Sequence, residues 1–201
     1  MAVVFFGPLE VHYDATVLPP RPWTMAQSEW AAELATGTLL ELGCGVGHIG
    51  LAAAVLSDQD LVQVDTSPSA CRWAADNAAR AGRAGRVEQR LGRPEAMLRD
   101  DERFSVVIAD PPYVASDEVA KFPHDPDSAI DGGPDGLDLV RQFVAVAAAH
   151  LTPEGSIVLQ LGGPAQVDAT DRWLRRAPVG VGIAESRVLG TDRALARLTP
   201  S

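Results

Sequence analysis

Two almost unbroken apolar runs, Leu39-Leu40-Glu41-Leu42 and Val106-Val107-Ile108-Ala109, constrain this chain more than any other feature. A strand exposed on one face alternates apolar and polar residues. A strand without that alternation has to be covered on both faces, as the central strands of a parallel sheet are. Each run stops at residues that cannot prolong a strand: Gly43-Cys44-Gly45-Val46-Gly47 after the first, Asp110-Pro111-Pro112-Tyr113 after the second. Further strand-like stretches at 61–65, 86–91, 156–161, 180–189 and 193–199 alternate with helical stretches at 25–35, 48–56, 69–81, 136–150 and 165–176. This alternation predicts an α/β fold with a doubly wound, mostly parallel sheet of seven strands. The last two strands are joined by too short a link for a crossover, so a C-terminal antiparallel hairpin is expected at one edge.

At 201 residues and 46% hydrophobic content, the chain can bury one sizeable core. Residues 1–24 read as a lead-in segment and 25–201 as a single domain. The net charge of -10, with no Lys/Arg cluster, disfavours non-specific nucleic-acid binding. The two cysteines, Cys44 and Cys71, have no metal-ligand spacing and form no disulfide framework, so no metal is expected. The apolar start has no basic flank and breaks at Gly7-Pro8, too early for a signal peptide or a membrane span. The expected compartment is the cytoplasm. Residues 114–135, rich in Pro, Gly and Asp, interrupt the strand–helix rhythm and are expected to form a lid over a pocket. Asp135 is expected to cap a helix starting at Gly136, with Asp138 adding negative charge to its first turn.

The glycine loop follows a strand and opens a helix, which is the geometry of a nucleoside-cofactor site. Gly45, Gly47 and Gly50 also fit the dinucleotide fingerprint, and Asp65 at the end of the next strand suits a ribose diol in either case. Three features favour S-adenosylmethionine. Glu41 lies two residues before the first glycine, where nicotinamide folds want an apolar strand end; a sulfonium has no pyrophosphate to meet the helix; and the Asp-Pro-Pro-Tyr turn has no part in hydride transfer. An acidic pocket attracts a cation. The candidate cofactor contacts are Glu41, Gly43, Cys44, Gly45, Gly47, Asp65, Thr66 and Asp110. The backbone of Leu91 and Gly92, or Glu95, is the candidate for the adenine. Gly50 reads as helix–sheet packing and His48 as a helix-start residue rather than a base.

Prolines 111 and 112 hold the preceding residues extended and carry no N–H. The turn therefore presents acceptors without competing donors: the Asp110 carboxylate and the Pro111 carbonyl. Two acceptors converging on an –NH₂ group fix its plane, and Tyr113 can stack on a planar amide, guanidine or base. Asp110, Pro111 and Tyr113 are the candidate catalytic residues, with Pro112 and Trp23 as further acceptor contacts. The reaction read from these residues is methyl transfer to nitrogen, with neither a metal nor a covalent intermediate.

Together these stretches resemble the HemK-type protein-glutamine methyltransferases, a family of class I S-adenosylmethionine-dependent enzymes with a Rossmann-like fold. Similarity extends to Val17-Leu18-Pro19-Pro20-Arg21-Pro22-Trp23-Thr24, Asp65-Thr66-Ser67-Pro68, Ala75-Asp76-Asn77-Ala78, Asp131-Gly132-Gly133-Pro134-Asp135-Gly136-Leu137-Asp138, Leu159-Gln160-Leu161-Gly162 and Asp192-Arg193. It covers roughly residues 14–197. The resemblance implies methylation of a protein side-chain amide, with Gly43, Gly45, Gly47 and Asp65 on the cofactor and Asp110, Pro111 and Tyr113 on the acceptor nitrogen. The family usually has Asn where this chain has Asp110, and an acid where it has Trp23. Its bacterial members carry an N-terminal helical domain, whereas about two dozen residues here precede the first helix. Methylation of a small-molecule amine or amide, methylation of a nucleobase in RNA or DNA, and a catalytically silent cofactor-binding subunit are the alternative readings. The oligomeric state is open.

Overall fold

The two apolar runs lie side by side in the middle of a seven-stranded sheet. The computed structural model describes residues 1–201, apart from the side chain of Ser128. In chain order the elements are β1 (Ala2–Phe6), β2 (Leu9–Tyr13), α1 (Met25–Leu34), β3 (Leu39–Leu42), α2 (His48–Ser57), β4 (Leu61–Asp65), α3 (Pro68–Arg80), β5 (Val87–Leu91), α4 (Pro94–Met97), β6 (Phe104–Ala109), α5 (Asp127–Ile130), α6 (Asp138–Ala149), β7 (Leu151–Leu161), α7 (Pro164–Leu174), β8 (Val181–Val188) and β9 (Ala194–Pro200). The sheet order is β5-β4-β3-β6-β7-β9-β8. The pairs from β5 to β7 are parallel, and β9 runs antiparallel to both β7 and β8. This is the expected α/β sheet with its C-terminal hairpin.

The pleat sorts each central strand between two cores. Leu39, Val106, Ile108 and Val158 point into one, with Trp30 of α1 and Ile49, Leu51 and Ala52 of α2. Leu40, Leu42, Val107, Ala109 and Leu159 point into the other, with Val140, Phe143 and Val144 of α6. Both faces are covered, so these strands carry no polar stripe. At α3 the Ser67 side chain accepts from the Ala70 amide and Pro68 occupies the first turn, an ordinary N-terminal cap.

Three local features differ from the sequence reading. The first 13 residues form a β-hairpin, β1–β2, turning at Gly7-Pro8 with Gly7 at φ 52. The signal was present in two short apolar-rich runs around a Gly-Pro turn. Phe6, Leu9 and Val11 of this hairpin enter the same core as Trp30. Helix α6 begins at Asp138 rather than Gly136, and Asp135 does not cap it: Leu137 is the N-cap residue, without a side-chain cap, and the Asp135 carboxylate accepts from the Leu137 amide outside the helix, at 3.1 Å. Strand β7 starts at Leu151, with a register irregularity against β6 between the Phe104 and Val106 pairings.

Asn77 on α3 joins this hairpin to the glycine loop. Its side chain accepts from the His12 amide at 2.8 Å and donates to the carbonyls of His12 at 3.1 Å and Val46 at 3.0 Å. All three bonds are buried, so removing the amide strands three backbone groups away from water. Asn77→Ala is expected to lower unfolding free energy by about 2–4 kcal/mol in urea titrations; a loss below about 0.5 kcal/mol, the scatter of an ordinary surface change, would contradict this account.

Candidate active site

The register pair Leu42↔Ala109 makes the next residues, Gly43 and Asp110, neighbours at the same end of the parallel sheet. A cavity of about 450 Å³ opens there, walled by Gly43, Cys44, Gly45, Asp65, Thr66, Ser67, Arg93, Pro94 and Phe143. A second, of about 480 Å³, is walled by Trp23, Pro111, Tyr113, Phe122, Gln166 and Arg193. Six residues line both: Leu18, Arg21, Thr24, Asp110, Pro112 and Ala129. Two ligand-sized chambers thus meet at Asp110.

In the first chamber the glycine loop turns back on itself. Gly45, at φ 54, holds a conformation costly for other residues, and no atom lies within 4 Å of where its Cβ would be. Its amide donates to Asp65 Oδ2 at 2.8 Å, and the Ser67 amide donates to Oδ1 at 2.8 Å. Asp65 is thereby fixed with lone pairs to spare; burial raises its pKa against these hydrogen bonds. The Cys44 thiol is buried, which pushes its pKa well up and leaves it un-ionised.

Glu41 and Gly47 are not on the chamber wall. The pleat turns Glu41 to the α2 face, where Oε1 accepts from the Gly50 amide at 3.0 Å and Oε2 from Gln63 Nε2 at 2.6 Å. Gln63 also donates to the Gly47 carbonyl at 2.9 Å. Glu41 therefore braces the loop from behind, and burial raises its pKa to about 7. A Cβ on Gly50 would lie 2.5 Å from Glu41 Oε2, so Gly50 serves packing, as its sequence position suggested. Leu91 and Gly92 are not on the wall either; Leu91 is 51% exposed, and Arg93 and Pro94 take that place. Glu95 accepts from Gln142 at 3.2 Å. His48 borders the chamber, but burial lowers its pKa to about 3; the ring packs edge-on against Phe6, a neutral spacer rather than a base.

Asp110 is different from the other acids. Among the described residues its carboxyl has no hydrogen-bond partner, and burial alone raises its pKa to about 7. The back of its turn is packed by backbone. A Cβ at Gly132 would lie 2.6 Å from the Pro112 carbonyl oxygen, and one at Gly136, at φ 71, would collide with the Tyr113 carbonyl oxygen. The Asp131–Asp138 stretch is glycine-rich because it returns in direct contact with the turn, where no side chain fits. Burial also raises the Tyr113 pKa, so its phenol stays protonated.

The 114–135 excursion walls the second chamber with Val114, Ala115, Glu118, Phe122 and Asp125. Arg21 Nη2 donates to Asp125 Oδ1 at 2.5 Å, tying the lead-in segment to the excursion across the junction. Trp23 stands beneath the Arg193 guanidinium, 4.3 Å from the ring centroid, and Arg21 lies 5.7 Å away. Arg21, Arg93, Pro94 and Gln63 were not read as site residues from the sequence. Arg21 alone left a signal, a lone cation inside a proline run.

The methyltransferase small domain family model matches residues 27–123. The release factor glutamine methyltransferase of Cereibacter sphaeroides is 34% identical over 196 residues, covering 92% of this chain and 67% of that protein. This chain belongs to the HemK-type glutamine methyltransferase family. The ribosomal protein uL3 glutamine methyltransferase of Bradyrhizobium diazoefficiens is 31% identical over 176 residues, covering 79% of this chain and 55% of its own length. The chain thus spans about two thirds or less of these curated relatives. A methyltransferase from Pyrococcus furiosus superposes with a TM-score of 0.72 at 16% identity, covering 96% of this chain and 89% of that one, a likeness of fold. Among the described residues, no helix is long and apolar enough to cross a membrane.

The raised Asp110 pKa has a consequence for stability. The unfolded carboxyl ionises near 3.8 and the folded one near 7, so between these values the folded state holds the extra proton and rising pH costs stability. Asp110→Asn removes that cost. The variant is expected to melt with the wild type near pH 4 and above it near pH 8, at roughly 2–4 °C per kcal/mol relieved. A melting difference that does not change with pH would contradict the assignment.

Proposed function

We propose that this chain transfers a methyl group from S-adenosylmethionine to the side-chain amide nitrogen of a glutamine in a protein. The observation that carries the reading is the unpartnered Asp110 carboxyl at the meeting of the two chambers. The first chamber fits the cofactor. Gly45 leaves the space that a Cβ would fill, Asp65 is held ready for ribose hydroxyls, and two acids, Asp65 and Asp110, face a cation. The cofactor supplies a methyl activated by positive sulfur, which keeps the electron pair of the broken C–S bond.

The protein's part is positioning and charge. The Asp110 carboxyl and the Pro111 carbonyl accept the two N–H bonds of the amide and hold its plane, while Tyr113 packs on its face. The nitrogen pair forms the new N–C bond, and the nitrogen becomes positive before losing one proton. A carboxylate at Asp110 favours that charge and can take the proton on Oδ. With its pKa near 7, Asp110 also exists protonated at neutral pH, and a protonated acid both donates and accepts, as the usual asparagine does. The named relatives, one acting on release factors and one on ribosomal protein uL3, support a protein acceptor.

The test is incubation with methyl-labelled cofactor and, separately, a release factor and ribosomal protein uL3, followed by peptide mass spectrometry. One added methyl on a single glutamine is expected, with Asp110→Ala slower by about 100-fold or more. Label on neither protein, or full activity in Asp110→Ala, would overturn the proposal.

A further inference from the structure

We propose that Gln27 and Gln166 are positioning residues that clamp the two ends of the Asp110–Tyr113 turn. The inference rests on the reading that this turn holds the acceptor nitrogen. A turn is normally fixed by its own N–H groups, but Pro111 and Pro112 have none, so donors have to come from elsewhere. They come from two glutamine amides on separate helices. Gln27 of α1 is fully buried; its Nε2 donates to the carbonyls of Ala109 and Val158, both at 2.9 Å. Ala109 is the last residue of β6, immediately before Asp110. Gln166 of α7 donates to the Tyr113 carbonyl at 2.8 Å and accepts from the Gly162 amide at 2.7 Å.

The arrangement leaves a defined remainder. With the Ala109 and Tyr113 carbonyls engaged, the Asp110 carboxyl and the Pro111 and Pro112 carbonyls are without hydrogen-bond partners among the described residues; the Pro112 carbonyl is backed by Gly132, where a Cβ would lie 2.6 Å from it. Asp110 and Pro111 both line the second chamber, and on the proposed reading their carboxyl and carbonyl are the groups offered to the acceptor nitrogen. The cost of the first clamp also argues for a role: Gln27 Oε1 is buried without a partner, an expense that a leucine at the same place would avoid. A hydrophobic residue could fill the space but could not donate to two strands at once. Gln166 lines the acceptor chamber, so its amide is at hand where the turn is exposed to ligand.

The test compares wild type with Gln27→Met, Gln166→Leu and Gln166→Glu, the last keeping the bond from Gly162 while losing the donor to Tyr113. Transfer to the glutamine acceptor gives kcat, calorimetry gives the cofactor Kd without acceptor, and a crystal structure of Gln166→Leu needs no substrate. The expected result is a kcat loss of about 10–100-fold in each variant, a cofactor Kd within about 2-fold of wild type, and a shifted Pro111–Tyr113 backbone. The Gln166 variants, at the partly exposed end, carry the test if Gln27→Met fails to fold. Unchanged kcat, equal losses in kcat and cofactor affinity, or an unmoved turn in the crystal would overturn the clamp. An inactive wild type would instead count against the acceptor reading, and the crystal structure would still decide the clamp.

Discussion

The pairing of β3 with β6 is the constraint on which the site depends. Four parallel register pairs, from Leu39↔Val106 to Leu42↔Ala109, make the glycine loop and the Asp-Pro-Pro-Tyr turn leave the sheet at the same end and as neighbours. Ligands bind in parallel α/β sheets beyond the carboxyl ends of the strands. Here that crevice is divided in two by Asp110, with one chamber on the glycine loop and the other on the proline turn. On the proposed reading, strand pairing therefore sets how the methyl donor and the acceptor are placed relative to one another.

Three carboxyls surround this end of the sheet, and the chain treats each differently. Asp65 is tied by two backbone amides, Glu41 by one backbone amide and one side-chain amide, and Asp110 by nothing. Burial raises the pKa of all three. The first two have their roles built in, one on the cavity wall and one behind the loop. Asp110 is left with unengaged lone pairs at the boundary of the two chambers. The substitution of Asp for the usual Asn then keeps the hydrogen-bonding pattern of the amide in the protonated form, and adds a base in the ionised form.

Much of this was legible in the sequence. Uninterrupted apolar runs at 39–42 and 106–109 marked the central strands because coverage on both faces removes the need for polar alternation. Gly45, Asp65 and Asp110 were legible because their chemistry is local: a positive φ, an acid at a strand end, an acid before two prolines. Glu41, read as a cofactor contact, lies off the chamber wall, because sequence spacing does not show which face of the pleat a strand residue takes. Leu91 and Gly92, read as adenine contacts, are also off the wall, which the chain reaches one step later, at Arg93 and Pro94. Gln27, Gln63 and Gln166 left no trace, since a glutamine acquires a role only from the distant carbonyls it meets. The pairing of Arg21 with Asp125 joins segments 104 residues apart and is equally invisible.

The central claim is that the methyl group crosses at the boundary that Asp110 shares between the chambers. A structure determined with a bisubstrate analogue, in which a glutamine amide nitrogen is tethered through one carbon to the cofactor sulfur position, tests it most directly. The account places the nucleoside against Gly45 and Asp65, the glutamine side chain against Tyr113, and the linking carbon beside the Asp110 carboxyl and the Pro111 carbonyl. A linker seated away from residues 110–113, or a nucleoside in the Trp23 chamber, would contradict it.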